Sequence, residues 1–114
     1  MENYKRTHIP YLMDEPTISF YPTLAKVFGV NEAIVIQQIH FYITINKHRD
    51  SDRHFHNDRW WVYNSYGQWV KNEFPWLSER GLQNIIVGLE KLGVLLSIQG
   101  VESAMDRRKW YTIE

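Results

Sequence analysis

One set of side chains in this sequence has the types and the spacing needed to contact the edges of nucleic-acid bases. The set consists of Arg80, Gln83, Asn84, Val87 and Lys91. At 100° per residue these positions fall on one side of a helix. Arginine can fork onto guanine, asparagine and glutamine can form paired hydrogen bonds with adenine, and a small apolar side chain can touch a thymine methyl. If the segment is helical, its outward side therefore suits the major groove of DNA.

Two further groups of residues can hold phosphates beside that set. Ser78 lies just before it, and a hydroxyl together with the N-terminus of a helix is suited to binding a phosphate. Arg107, Arg108 and Lys109 follow later in the chain, where the tip of a β-hairpin would meet the DNA backbone or the adjacent groove. Any exposed helix face carries polar residues, so a merely solvated surface is the alternative interpretation of the same pattern.

Residues 74–93 contain the signals for the helix that would position these side chains. Ser78 is a typical N-cap, because its hydroxyl can accept a hydrogen bond from a free backbone N–H of the first turn. Gly93 is a typical helix stop, because it has no Cβ to clash in the left-handed conformation. Five apolar residues recur on the face opposite the polar set: Leu82, Ile85, Ile86, Leu89 and Leu92. We therefore predict a helix over residues 79–92 that buries this face.

The surrounding segments complete the pattern of a winged helix-turn-helix. A shorter helix is predicted over residues 65–73, and Pro75 separates it from the main helix. Residues 94–98 and 109–113 are predicted to form a hairpin, and residues 60–63 are a third β-prone run of aromatic and branched side chains. We therefore predict an α+β fold that is mainly helical, with a small β wing.

Two more helices are predicted in front of this unit. The first covers residues 22–28, with Pro22 at a favoured first position and Gly29 as its stop. The second covers residues 32–46, with Asn31 as its cap. Residues 1–19 are predicted to be an arm, because Pro10 and Pro16 interrupt any helix there. The chain is thus divided into an arm, 1–19, and a winged-helix domain with extra N-terminal helices, 20–114.

The second of these helices is apolar on two sides, which indicates that both sides are covered. One side carries Val35, Ile36, Ile39, Tyr42 and Ile43, and the opposite side carries Ile34, Phe41 and Ile45. The arm can cover the second side by folding back over it. Alternatively, the residues Ile34, Phe41 and Ile45 form a subunit interface, as in a homodimer. The pattern leaves both possibilities open.

Residues 47–59 are strongly polar and are predicted to form a solvated loop. His54 and His56, together with Asp50, Asp52 or Asp58, offer imidazole and carboxylate groups of the kind that bind metals. Their spacing matches no calcium loop, which would need a central glycine and a distal glutamate. We therefore expect no metal and no cofactor.

Composition narrows the class of protein further. A length of 114 residues fits a single domain, and a hydrophobic content of 44% favours a folded one. The absence of cysteine is compatible with the cytoplasm, where we expect the protein. No apolar run approaches the roughly 18 residues of a membrane-spanning helix. Without a phosphate-binding glycine loop or a G-x-S-x-G nucleophile motif, we expect no enzymatic activity.

Four stretches of the chain carry a family resemblance: NEAIVIQQIH, WVYNSY, FPWLS followed by LEKLG, and the closing KWYTI. In this order they resemble the N-terminal domain of replication proteins from phages and mobile elements of low-GC Gram-positive bacteria, which are replisome organisers or DnaD-type initiators. The resemblance covers roughly residues 18–114. It implies a winged-helix domain that binds double-stranded origin DNA or helps to assemble a replisome.

The charge of the main helix leaves a second function open. Glu79 and Glu90 balance Arg80 and Lys91, and the formal net charge of the whole chain is zero, which counts against strong nonspecific binding to nucleic acid. Val87 on the outward side also suits a protein contact. The alternative is a free-standing winged-helix module that binds or inhibits a host or phage nucleic-acid-handling protein. A positive outward face would favour DNA, and a mixed one would favour protein.

Overall fold

The computed structural model describes residues 13–103, 105 and 108–114, and in these ranges the chain forms four α-helices and two small antiparallel sheets. The helices are α1 (Pro22–Phe28), α2 (Val30–His48), α3 (Tyr66–Asn72) and α4 (Glu79–Lys91). The strands are β1 (Phe55–His56), β2 (Arg59–Trp60), β3 (Val62–Tyr63), β4 (Leu95–Ile98) and β5 (Trp110–Ile113). The predicted α+β class is confirmed. None of the described helices is long and apolar enough to cross a membrane.

The larger sheet has β5 between β3 and β4. Both neighbours run antiparallel to β5, with Val62 opposite Tyr111 on one side and Leu95 opposite Ile113 on the other. The two helices α3 and α4 lie in sequence between β3 and β4, and the tip of the β4–β5 hairpin follows. This order is compatible with a helix-plus-wing arrangement.

The core is formed where α2, α3 and α4 meet the larger sheet. Its buried members are Val35, Ile36, Ile39, Val62, Trp69, Phe74, Leu82, Ile86, Leu89, Leu95 and Tyr111. Three of the five residues predicted to face inward from α4 belong to this core, and Ile85 packs against it half-buried. Leu92 was predicted to be buried and is instead 66% exposed, because α4 ends at Lys91 and Leu92 lies beyond its last turn.

The predicted N-cap and stop of α4 are confirmed, and α3 (predicted over 65–73) begins one residue later than predicted, with Ser65 as its N-cap. The Ser65 hydroxyl accepts a hydrogen bond from the Gln68 backbone N–H at 3.2 Å, and the Ser78 hydroxyl accepts one from Gly81 at 2.9 Å. Gly93 has a φ of 77°, the left-handed conformation expected of the residue after a helix. These local signals fix where the two helices begin and where α4 turns towards β4.

The junction between α1 and α2 differs from its prediction. The helix α2 begins at Val30, so Asn31 lies inside its first turn and is not the cap. The Asn31 side chain instead accepts a hydrogen bond from the indole N–H of Trp76 at 3.0 Å. Gly29 both ends α1 and precedes α2, with φ 112° and ψ 157°, a conformation that is essentially restricted to glycine.

The segment predicted to be a solvated loop is ordered into a small hairpin. A 3₁₀ turn over Asp52–His54 leads into β1, and β1 pairs with β2 through a two-residue turn at Asn57 and Asp58. Both turn residues have positive φ, 54° and 59°, as type I′ turns require. The prediction of a loop was wrong because the Asn-Asp pair was not recognised as a turn signal. The predicted strand over residues 60–63 is also divided, since Trp61 lies between β2 and β3.

A polar contact holds α3 against α2. Glu73, at the end of α3, accepts hydrogen bonds from the Gln38 amide at 2.6 Å and from the Tyr42 hydroxyl. The hydrogen bond to Glu73, then burial, then the charge of Glu73 raise the pKa of Tyr42 to about 12. The ring of Tyr42 also lies 5.9 Å from that of Trp69. This contact sets the position of α3, and therefore of the turn into α4.

Replacing Gly29 with alanine should destabilise the protein by about 1–3 kcal/mol. The added Cβ would be strained at this φ, and the flexible Glu32 carboxylate would have to move aside. Gly88→Ala is the matched control, because a Cβ at this helical position meets nothing within 4 Å and should stabilise α4 by roughly 0.5–1 kcal/mol. Urea denaturation of the three proteins measures both effects, and equal stabilities would contradict this account of the junction.

Tyr42→Phe should lower the free energy of unfolding by about 1–2 kcal/mol at neutral pH, because Glu73 loses a hydrogen-bond donor. The pKa of Tyr42 is higher in the folded protein than its ordinary value of 10, so this contribution is complete below pH 10. It should be lost as the pH rises towards about 12. Denaturation of both proteins from pH 8 to 12 would show the difference shrinking, whereas a constant difference would mean that the hydroxyl is not bonded to Glu73.

Candidate nucleic-acid interface

The outward side of α4 carries the side chains that the sequence analysis assigned to it. Arg80, Gln83, Asn84 and Lys91 are exposed, as is the capping Ser78, and Val87 is half-buried. The buried face of the same helix fixes its rotation, because Leu82, Ile86 and Leu89 are at most 1% exposed. The polar set is therefore a continuous ridge along one helix, which we call the α4 ridge: Arg80, Gln83, Asn84, Val87 and Lys91.

The acidic residues of α4 point away from this ridge. The Glu79 carboxylate lies beside Gly67 at the start of α3. A Cβ atom added to Gly67 would lie 3.6 Å from this carboxylate. Glu90 faces the sheet, where it accepts hydrogen bonds from Ser97 and Lys109. Arg80 and Lys91 form no ion pair with any residue in the described ranges. The two acidic side chains of α4 thus lie beside α3 and the sheet, whereas Arg80 and Lys91 give the ridge a positive charge.

Lys109, predicted to contact a phosphate from the wing, lies against the sheet. Its ammonium is 3.2 Å from Glu90, and it lies over the rings of Tyr66 and Tyr111 at 5.9 Å and 5.5 Å. The Lys109 and Glu90 side chains are only 25% and 23% exposed. Burial, with Tyr66 and Glu90 nearby, raises the pKa of Tyr111 and keeps its hydroxyl neutral. The charge of Lys109 is therefore compensated within the protein.

Arg108 belongs to a surface cluster that sequence reasoning did not find. Its guanidinium and that of Arg53 each bond to one oxygen of Glu102, at 2.7 Å and 2.6 Å. Both guanidiniums also lie over the ring of Tyr63, at 4.7 Å and 5.2 Å. The two hydrogen bonds lower the pKa of Glu102, so its carboxylate stays charged between the two arginines. Arg107, also predicted for the wing, lies outside the described residues.

The histidines considered as metal ligands pack against aromatic rings instead. His54 stacks on Tyr63 at 5.9 Å and accepts or donates a hydrogen bond with Ser51 at 2.7 Å. His56 meets Trp110 edge-on at 5.5 Å. Burial, followed by the charge of Arg53, lowers the pKa of His54 and favours the neutral ring. Within the described ranges, no group of three or more histidine or acidic side chains is placed to hold a metal.

The second apolar side of α2 is only partly open. Ile34 and Ile45 are half-buried, and Ile34 packs against the core. Phe41 is 47% exposed and contacts Tyr42 edge-on at 5.3 Å. Of the three residues assigned to a subunit interface, Phe41 therefore offers the most apolar surface. The arm is the predicted alternative cover for this side of α2, and its residues before Met13 lie outside the described residues.

The chain was compared with protein-family models, with curated proteins and with solved structures, and none of them matches it. Function must therefore be argued from the geometry described above.

Lys109→Met should destabilise the protein by roughly 1–3 kcal/mol, because it leaves the half-buried Glu90 carboxylate without its cation. Adding Glu90→Gln should restore part of that loss, since the uncompensated charge is removed. Chemical denaturation of the wild type, both single variants and the double variant gives the coupling energy. Strictly additive effects would contradict the interaction between these two residues.

Proposed function

We propose that this chain is a DNA-binding winged-helix domain whose α4 ridge enters the major groove of double-stranded DNA. The observation that carries the proposal is the separation of charge on α4. Glu79 and Glu90 are turned towards α3 and the sheet, whereas Arg80 and Lys91 stand on the outward side. A polyanion approaching the ridge therefore meets two cations and two amides, with Glu32 lining the same cleft as Asn84 at the edge of the ridge.

The arrangement of the elements supports a winged helix. The strand β3 precedes α3 and α4, and it pairs with β5 on the side opposite β4. In such domains the second helix of the pair docks in the groove and the hairpin that follows flanks it. Here α4 would be the recognition helix, and the tip that contains Arg107 and Arg108 would be the wing.

Each residue of the ridge has a distinct role in this proposal. Arg80 would fork onto guanine, and Gln83 or Asn84 would pair with adenine. Val87 would touch a thymine methyl, and Lys91 would contact a phosphate. The backbone after Ser78 would hold a second phosphate at the start of α4.

The same proposal extends to the biological setting that the family resemblance implies. The protein would act in the cytoplasm in the initiation of phage or mobile-element replication, at origin DNA or within a replisome. The two cations of the ridge make few phosphate contacts, so binding by one copy would be weak. A homodimer that binds two half-sites would bind DNA more strongly. The exposed Phe41 on α2 is our candidate for the contact between the two copies.

A protein-interaction module is the second candidate function, and the exposed apolar side chains beside the ridge favour it. Val27 is 65% exposed and Leu92 is 66% exposed, and both line a cleft of about 200 Å³ between α1 and α4. Such surface can bind a host or phage protein as readily as it can flank DNA.

The double variant Arg80→Ala, Lys91→Ala should bind a mixed pool of duplex DNA at least tenfold more weakly than the wild type. Its affinity should also depend less steeply on salt, by about one unit of slope for each phosphate that the variant no longer neutralises. Fluorescence anisotropy at low and moderate salt measures both quantities. Lys47→Ala is the control, because Lys47 is exposed in the last turn of α2, away from the ridge.

Three results would decide between the candidate functions. Loss of affinity in the double variant but not in Lys47→Ala would support DNA binding through the ridge. Equal weakening in both would mean nonspecific attraction and would contradict the groove assignment. No binding by the wild type at low salt would favour the protein-interaction module. Once DNA binding is established, Arg80→Ala combined with Asn84→Ala should abolish sequence preference without changing stability.

A further inference from the structure

The cleft between α1 and α4, which we call the α1–α4 cleft, borders the α4 ridge at Asn84. Its volume is about 200 Å³, below the range of roughly 300–1,000 Å³ that is typical of small-molecule sites in proteins. Phe28 from α1 and Ile85 and Leu89 from α4 form much of its apolar wall. The cleft therefore suits one side chain of another protein better than it suits a cofactor.

The rim of the α1–α4 cleft is apolar and exposed, and no side chain fills the cleft at Gly88. Val27 is 65% exposed and Leu92 is 66% exposed. Gly88 lies within α4, and a Cβ at this position would meet nothing within 4 Å. Glycine is less stable than alanine inside a helix, so the stability of α4 does not account for it. The missing side chain lets a partner approach this helix closely.

Glu32 is the acidic side chain that lines this cleft. It is half-buried in the first turn of α2, and its carboxylate lies in space that a Cβ on Gly29 would occupy. Among the residues that the structure describes, no cationic side chain forms an ion pair with Glu32. A negative charge at the edge of an apolar cleft thus has no compensating cation within these ranges.

The charge and the apolar wall together favour an occupant with an aliphatic stem and a cationic head. Arginine has both, and it buries its stem along apolar surface while its head stays at the edge. Its guanidinium can form two parallel hydrogen bonds with a carboxylate such as that of Glu32. A purely apolar side chain would bury this carboxylate further without a partner, which costs free energy, and an acidic side chain would be repelled.

We propose that the α1–α4 cleft binds one arginine side chain of a partner protein, with the stem against Ile85 and Leu89 and the guanidinium on Glu32. Apolar residues that flank this arginine in the partner would cover Val27 and Leu92. The inference goes beyond the proposed DNA-binding function and stands independently of it, because none of its contacts involves the cations of the α4 ridge.

Three capped tripeptides test the inference: Leu-Arg-Leu, Leu-Lys-Leu and Leu-citrulline-Leu. Citrulline keeps the shape of arginine but carries no charge. In a titration followed by NMR, Leu-Arg-Leu should shift the backbone amide signals of Gly88 and Leu92 and bind with a Kd of about 1 mM, as expected of so small a ligand. The citrulline peptide should bind about tenfold more weakly, because it cannot pair with the carboxylate. The lysine peptide should have an intermediate affinity, since an ammonium does not form the two parallel bonds.

Variants of the full chain then locate the binding in the cleft. Glu32→Gln should weaken the binding of Leu-Arg-Leu about tenfold, to the affinity of the citrulline peptide. Glu79→Gln is the matched control, because it also removes a carboxylate from the first turn of a helix but does not line the cleft. Gly88→Leu should abolish the binding of all three peptides, because leucine is a good helix former and its side chain would occupy the cleft. Urea denaturation checks that each variant is folded.

The outcomes separate this inference from the proposed function. Equal affinity of the wild type for the arginine and citrulline peptides would overturn the inference, and so would an undiminished affinity for Leu-Arg-Leu in folded Glu32→Gln or Gly88→Leu. The variant Arg80→Ala, Lys91→Ala should bind the peptides as the wild type does. The cleft would therefore be supported even if duplex DNA did not bind to the ridge.

Two other occupants of the cleft have their own signatures. Peptide binding that becomes about tenfold tighter in Lys5→Ala, Arg6→Ala would mean that the arm of this chain fills the cleft, and would contradict the assignment to a partner. A wild-type dimer in analytical ultracentrifugation that dissociates in both Glu32→Gln and Arg80→Ala would mean that a second copy fills it, with the same consequence. A monomeric wild type, with the peptide affinity unchanged in the arm variant, would support a different protein as the partner.

Discussion

The contact between Glu90 and Lys109 joins α4 to the larger sheet, and the proposed DNA-binding surface depends on it. Through Glu90, α4 is joined to Ser97 in β4 and to Lys109, which directly precedes β5. The same contact places the Glu90 carboxylate against the sheet and compensates the positive charge of Lys109. It therefore ties the helix to the sheet and keeps the Glu90 carboxylate off the α4 ridge, where Arg80 and Lys91 are exposed.

Local signals in the sequence predicted the cap and the stop of α4, but not the β1–β2 hairpin or the start of α2. Ser78 and Gly93 act through hydrogen bonds and backbone conformations within a few residues, and their predicted roles are confirmed. Asn31 carries the same kind of cap signal, yet α2 begins at Val30, and the Asn31 side chain accepts a hydrogen bond from Trp76. A distant partner thus overrode a local preference, which no pattern within one helix can reveal.

The α4 ridge could be predicted because helical periodicity separates buried from exposed positions on a single element. The ion pairs of Glu102 could not be predicted from the sequence, because Arg53 lies far from Glu102 and Arg108 in the chain. Only the folded structure brings the three side chains together. Periodicity predicts which residues of one helix or strand share a face. Contacts between residues of different elements can be identified only in the tertiary structure.

The central position of β5 has a consequence for synthesis of the chain on the ribosome. Among the described strands, β3 and β4 pair only with β5, and β3 precedes both α3 and α4. The helices can form as they emerge, but the three-stranded sheet must wait until Trp110–Ile113 has left the exit tunnel. Until then Leu95 and Val62, both buried in the native domain, lack their strand partner. The nascent domain should therefore be a substrate for ribosome-associated chaperones up to that point.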